Sequence, residues 1–409
     1  MAVLRRREFI KAVSGVAPLM AGSQKRPNIL LILADDQRFS TIHALGFREV
    51  YTPNLDRLVR RGTAFTNAAI MGGMTGAICV PSRASLLTGR TLFHLAGTGE
   101  SIPPAHLTLP EQLRSAGYTT FITGKWHNDK ASLARAFSGG ADIFLGGMTD
   151  QWKVPVQDYD ASGLFPKEHG RTMERFSAEV FTDAAAGFLR RHRDDHPFFL
   201  CLALTVPHDP RTAPDEFRKM YDPSRIALPP NFLPEHPFDN GELRVRDELL
   251  APHPRTGDLI RRHIADYFAM ITALDACVGR LLRTLEEMGR AEDTIVVFAG
   301  DNGLALGQHG LMGKQNLYDH SVRVPLIIAG PGIPRGRRVE GLCYLPDLYP
   351  TLCNLLRLPR PETVEGRDLT PLLRQQTTEV RDSLFFAYRG FQRAVRTRTF
   401  KLIEYEVGG

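Results

Sequence analysis

Residues 267–302 read YFAMITALDACVGRLLRTLEEMGRAEDTIVVFAGDN. Tyr267, Ile271, Leu274, Val278, Leu281, Leu285 and Met288 recur at spacings of four and three, which predicts a helix over Tyr267–Met288 with a single apolar stripe. That stripe reads as core. After Gly289 comes Thr294–Ala299, an apolar run without alternation, as expected of a strand covered on both faces. A helix leading straight into such a strand is the second half of a β–α–β crossover and predicts a parallel sheet.

The same texture recurs outward from this segment, at Asn28–Ala34, Thr119–Thr123, Phe198–Thr205 and Val324–Ala329, with longer amphipathic stretches between. The chain therefore reads as α/β, with a large mixed, mostly parallel sheet flanked by helices. A length of 409 residues is ample for a large core and suggests two domains. One is expected over 24–337. After Gly330-Pro331-Gly332 the strands weaken and the chain turns basic, so 338–409 reads as a smaller, shortened C-terminal α+β subdomain. Pro207–Pro254 is Pro-rich and aperiodic, and a stretch of that length inside a compact domain is usually functional.

The net charge of +6 invites a nucleic-acid partner, but its distribution argues against one. Residues 1–22 hold Arg5, Arg6, Arg7 and Lys11 against Glu8, or +3 (4 − 1), leaving only +3 (6 − 3) for the rest. Arg5–Lys11, the apolar stretch Ala12–Ala21 and the small residues Gly22 and Ser23 have the pattern of a cleaved signal. Arg6-Arg7-Glu8-Phe9-Ile10-Lys11 resembles a twin-arginine signal, so 1–23 is expected to direct export to a bacterial periplasm or beyond. No apolar run approaches a membrane span, so stable membrane insertion is not expected. Of the five cysteines, Cys201 and Cys277 lie in apolar runs and read as core thiols.

Four strands run into polar residues. Asn28–Ala34 leads to Asp35-Asp36-Gln37, and Thr119–Thr123 to Gly124-Lys125-Trp126-His127. Phe198–Val206 leads to Pro207-His208-Asp209-Pro210, and Thr294–Gly300 to Asp301-Asn302-Gly303. In an open parallel sheet these ends share the carboxyl edge, where ligands bind. Asp35, Asp36, Asp301 and the Asn302 carbonyl are hard oxygen donors that suit Ca²⁺ or Mg²⁺ rather than zinc. Lys125, His127 and His208 beside a cation suggest an anionic substrate. Singly, each has a plain reading, whether helix cap, turn or loop. Their combination on one edge is what carries the inference.

Residues 79–90 read CVPSRASLLTGR. Cys79 falls just before a helix, with Pro81 in its first turn. The helix N-terminus and Arg83 would both favour negative charge on Cys79. The string resembles the signature of the type I sulfatases, the arylsulfatase family of the alkaline phosphatase superfamily. The resemblance runs from about Arg26 to Lys401 through Gly307-Gln308-His309-Gly310-Leu311, Gly313-Lys314 and Arg323–Ile328. It implies an alkaline phosphatase-like fold and conversion of Cys79 to formylglycine by a formylglycine-generating enzyme. It also implies one divalent cation, usually calcium with magnesium the alternative, on Asp35, Asp36, Asp301, Asn302 and the modified Cys79.

By the same resemblance the hydrated aldehyde at 79 is the nucleophile and Arg83 holds it. Lys125 and Lys314 would bind sulfate oxygens, and His208, assisted by Lys314, would protonate the leaving alcohol. His127 would take the proton that lets sulfate depart. His309 and His320 read as loop histidines. The implied activity is hydrolysis of a sulfate monoester, on a sulfated carbohydrate or another small organic sulfate. Two rivals stay open: a formylglycine-dependent phosphonate monoester or phosphodiester hydrolase, and a non-catalytic binder of sulfated glycans in which Cys79 remains a thiol. Related sulfatases commonly continue past a strand like Lys401–Ile403, so the C-terminal subdomain is expected to be either short or a fragment.

Overall fold

In the computed structural model, residues 26–193 and 196–406 are described; the expected signal at 1–23 lies outside them. Eight strands form the main sheet: β1 (Asn28–Ala34), β2 (Gly62–Phe65), β3 (Thr119–Lys125), β4 (Gly139–Phe144), β5 (Phe198–Ala203), β6 (Thr294–Gly300), β7 (Leu326–Ala329) and β8 (Arg337–Val339). Their order is β8-β2-β7-β6-β1-β5-β3-β4. From β6 to β4 every neighbour is parallel, whereas β7 runs antiparallel to both β6 and β2. The sheet is therefore mixed and mostly parallel, as its texture predicts.

The absence of alternation has a direct cause. Ile29, Leu31 and Leu33 of β1 join one apolar core, and Leu30, Ile32 and Ala34 join the other, so both faces are dry. Helices α1 (Pro53–Arg61), α3 (Ser177–Arg191) and α4 (Gly257–Glu287) pack in the second core, while α2 (Cys79–Thr88) contributes Ala84, Leu86 and Leu87 to the first. The stripe residues from Tyr267 to Leu285 are all buried in it.

The boundaries differ from the expectation in instructive ways. Helix α4 begins ten residues before Tyr267, where the Thr256 side chain accepts from Leu259 N. Ile260 and Ile264 extend the stripe backward, but Arg261, Arg262 and His263 between them obscure it in the sequence. Strand β7 starts only at Leu326, after Pro325, which has no N–H to offer a ladder. Strand β3 runs past Thr123 with a register shift between Ile122 and Gly124.

Three strands after β8, Leu384–Tyr388, Gln392–Arg396 and Lys401–Tyr405, form a four-stranded sheet completed by Gly72–Gly73 from the earlier part of the chain. Within Pro207–Pro254 the regular structure is limited to the short helical turns Asp215–Arg218, Pro223–Arg225 and Glu248–Leu250. Among the described residues no helix is long and apolar enough to cross a membrane.

Candidate active site

The carboxyl ends of β1, β3, β5 and β6 do meet, and α2 presents Cys79 to them from the adjacent layer. Three carboxylates and three cationic side chains pair there one to one. Lys125 Nζ donates to Asp35 Oδ2 at 2.7 Å, Lys314 Nζ to Asp36 Oδ1 at 2.7 Å, and Arg83 Nε to Asp301 Oδ2 at 2.8 Å. All six are buried. Lys125 also donates to Gly147 O, and Arg83 Nη1 donates to Lys125 O at 2.8 Å, so both cationic side chains are held in place by backbone carbonyls as well as by their carboxylates.

Local backbone sets these positions. Gly124 sits at φ 91°, and a Cβ on it would lie 1.9 Å from Ala203 O, so only glycine lets β3 turn Lys125 inward. Asp36 itself has φ 67°, a left-handed conformation that Asp tolerates better than most residues but still at some cost. Tyr267 supports it: its hydroxyl donates to Asp36 O at 2.7 Å and accepts from Arg38 N at 3.0 Å. The core stripe of α4 thus carries a polar tip that reaches the site.

The donor set fits a hard divalent cation. Asp35, Asp36, Cys79 and Asp301 place ligand atoms within 4.8 Å of one another, and the buried Asn302 Oδ1 has no hydrogen-bond partner. A buried carbonyl oxygen without a donor is costly unless something positive is meant to meet it.

Cys79 departs from its expected charge state. Its sulfur lies 3.3 Å from Lys314 Nζ and 3.4 Å from both Asp35 Oδ1 and Asn302 Nδ2. Burial pushes the thiol up to about 12, with Lys125 and Lys314 opposing and Asp35 and Asp301 reinforcing. The Arg83 guanidinium, expected to stabilise a thiolate, is instead engaged by Asp301 and the Lys125 carbonyl. An unmodified Cys79 is therefore a neutral thiol and a poor nucleophile.

The two histidines flank this centre. His208 Nε2 is 3.6 Å from Asp36 Oδ2, while Nδ1 faces the Asp209 carbonyl at 2.8 Å. The ring of His127 lies against Gly147, its Nδ1 buried without a partner. Burial, with Lys125 and Arg83 adding to it, pushes His127 down to about 3, so its ring is neutral. His309, in the loop after β6, stacks on Tyr318 at 4.1 Å, and the buried His320, in the short helix Asp319–Val322, lies 5.6 Å from the same tyrosine ring. Cys201 and Cys277 are buried free thiols, as expected.

Several residues of the site escape sequence reading. Ser82 Oγ donates to Asp301 O, Glu248 accepts from Met312 N and Gly313 N ahead of Lys314, and Arg246 grips Asp209. Ser82 and Asp209 stand inside the quoted strings 79–90 and 207–210, but nothing in those strings assigns them a contact. Glu248 and Arg246 lie in the aperiodic stretch and carry no local signal.

An alkaline phosphatase-like sheet with a cysteine-bearing helix, a cluster of oxygen donors and buried anion-seeking lysines at its carboxyl edge defines a hydrolase of charged esters. The sulfatase family model matches residues 27–358, and the chain belongs to that family as a type I sulfatase, a sulfuric ester hydrolase of the alkaline phosphatase superfamily. The ulvan-active sulfatase of Formosa agariphila is 31% identical over 401 residues, covering 92% of this chain and 72% of that protein. The N-acetylglucosamine-6-O-sulfatase of Bacteroides thetaiotaomicron is 26% identical over 453 residues, covering 93% and 79%. The solved structure of BT4656 in complex with its substrate D-glucosamine-2-N,6-O-disulfate superposes with a TM-score of 0.77 at 22% identity, covering 94% of this chain and 90% of that one.

Proposed function

We propose that this sulfatase removes sulfate from a sulfated carbohydrate, using formylglycine at position 79 and one divalent cation, calcium before magnesium. The observation that carries the reading is the one-to-one pairing of three buried carboxylates with three buried cations. That set is neutral by itself. A divalent cation on Asp35, Asp36, Asp301 and Asn302 would bring the pocket to +2 and supply charge stabilisation to an anionic ester. Calcium suits an all-oxygen donor set with flexible geometry. The carbohydrate follows the two curated relatives, one active on ulvan and one on N-acetylglucosamine-6-O-sulfate by name.

The roles divide as follows. Oxidised to formylglycine by a formylglycine-generating enzyme, position 79 supplies a hydrated aldehyde as nucleophile, which a neutral buried thiol could not match. Arg83, fixed between Asp301 and the Lys125 carbonyl, keeps Nη2 without a partner and free to hold that group. Lys125 and Lys314 would bind the sulfate oxygens, while Asp35 and Asp36, their partners in the structure, would hold the cation. His208 Nε2, on the open side of the ring, protonates the leaving oxygen with Lys314 nearby. His127, neutral and with Nδ1 unpartnered, accepts the proton released at position 79 as sulfate departs. Residues 24–337 form the catalytic domain and 338–409 a smaller subdomain, in a protein exported by a twin-arginine-type signal at 1–23.

The test has two arms. Mass spectrometry of the peptide containing Cys79, from protein made in its native host, should find the aldehyde. Turnover should favour an aryl sulfate over the matching aryl phosphodiester. A thiol alone would sink the catalytic role of position 79, and a preference for the diester would favour a phosphonate or phosphodiester hydrolase. A panel of defined sulfated sugars then identifies the substrate.

A further inference from the structure

The aperiodic stretch ahead of α4 ties together the two groups that face the leaving oxygen. Asp209, 5% exposed, directly follows His208, and its carboxylate Oδ1 lies 3.4 Å from His208 Nδ1. With the Asp209 carbonyl at 2.8 Å on the same nitrogen, the ring is held by one edge and its Nε2 is turned toward Asp36. The Asp209 carboxylate is gripped by both terminal nitrogens of Arg246, at 2.5 and 3.0 Å, the bidentate geometry that fixes direction as well as charge. Burial works against ionisation of Asp209, yet Arg246, His208 and Arg211 hold its carboxyl below the usual range, so it stays an anion.

Arg246 does not stop there. Its Nη2 also donates to Asp247 Oδ1 at 2.7 Å, and Asp247 Oδ2 accepts from Gln315 Nε2 at 2.8 Å. Gln315 Oε1 in turn accepts from the backbone N of Lys314 at 3.0 Å. A continuous chain of mostly charge-assisted bonds therefore runs from His208 to the backbone that carries Lys314.

We propose that Arg246 is a positioning residue, which through Asp209 and Asp247 fixes His208 and Lys314 relative to one another for proton transfer to the leaving group. This rests on the reading of His208 as proton donor. Arg246 acts on the reaction only through its two partners. Its loss should hurt esters that need a proton and spare those that do not.

The experiment compares 4-nitrophenyl sulfate, whose leaving group departs unaided, with phenyl sulfate, whose leaving group is poorer. The variants are Arg246→Ala, Arg246→Lys, His208→Ala and the His208→Ala/Arg246→Ala pair. Arg246→Ala should lower kcat on phenyl sulfate by about 10- to 100-fold with KM little changed, a share of the full effect of a general acid. The nitrophenyl ester should lose only about 3-fold or less on the same ground. Arg246→Lys keeps the charge without the fork, and should fall between wild type and alanine; it takes the place of alanine in the cycle should that variant not fold. In the pair, Arg246→Ala should add clearly less loss to His208→Ala than it causes alone, the remainder being its hold on Lys314. Equal losses on both esters, or losses that multiply in the pair, would overturn the positioning role. His208→Ala losing equally on both esters is a separate failure, which removes the proton-donor role and the proposal with it.

Discussion

Position 79 shows how much a single side chain can be asked to do, and what it cannot do unaided. Cys79 is 1% exposed and shares its space with two carboxylates, a lysine and an amide. That environment suppresses a thiolate and rewards a neutral oxygen-rich group beside a cation. Cys79→Ala should abolish turnover while costing little in folding, because the thiol packs mainly against polar neighbours. A loss of about 1 kcal/mol, or a few degrees in Tm by calorimetry, is expected, well short of a core truncation; a collapse in Tm would assign Cys79 to structure. At this scale the site was largely legible in the sequence, because Asp35, Lys125, His208 and Asp301 each follow a recognisable strand. Asp209 and Arg246 show the limit. Their contact spans 37 residues, and both partners lie in the stretch Pro207–Pro254, whose residues repeat with no period.

Elements turn those side chains into a site, and α4 is the one that matters most. Its sequence advertised a core stripe, but an apolar period says nothing of a hydroxyl at its edge. Tyr267→Phe would keep the stripe and strand two buried partners, Asp36 O and Arg38 N, at a cost of about 1–3 kcal/mol. It should also release the left-handed Asp36 and weaken calcium binding by isothermal calorimetry; an unchanged affinity would mean that Asp36 holds its conformation without help. Further along the same helix, Asp275 accepts from Leu55 N at 2.7 Å and from Asn54 N at 3.1 Å, capping α1 from outside. Burial pushes Asp275 up to about 6, from an ordinary value of 3.8, against the pull of those hydrogen bonds. The folded protein then holds a proton that the unfolded chain releases earlier. Its contribution is full below about pH 4 and lost as pH rises through about 6, a span of about 3 kcal/mol at most. The unfolding free energy of wild type minus that of Asp275→Asn should therefore fall across this window in urea titrations. A flat difference would place the carboxyl at its ordinary value.

At the scale of the molecule the deciding quantity is charge, and the total of +6 says little about it. What matters is a buried set of three acids and three bases that sums to zero, with room for one more cation. Such a centre should be a poor sulfate site until a divalent ion arrives and a good one afterwards. On the proposed role of these donors, which only the folded chain brings together, calcium should raise Tm, by about 2.7 kcal/mol of stabilisation at a hundred times its dissociation constant. Asp301→Asn should flatten that rise by removing a charged ligand. Inorganic sulfate sharpens the test, being the product and carrying the charge that the loaded pocket lacks. At low millimolar concentration, too dilute for solvent-exclusion effects, sulfate should raise Tm further in calcium and do nothing in chelator. Equal stabilisation in both would mean that Lys125, Lys314 and Arg83 hold the anion without the cation, and that the pairing with Asp35, Asp36 and Asp301 is only structural. The dependence of one ligand on the other would instead show the buried carboxylates keeping the lysines occupied until the cation claims them.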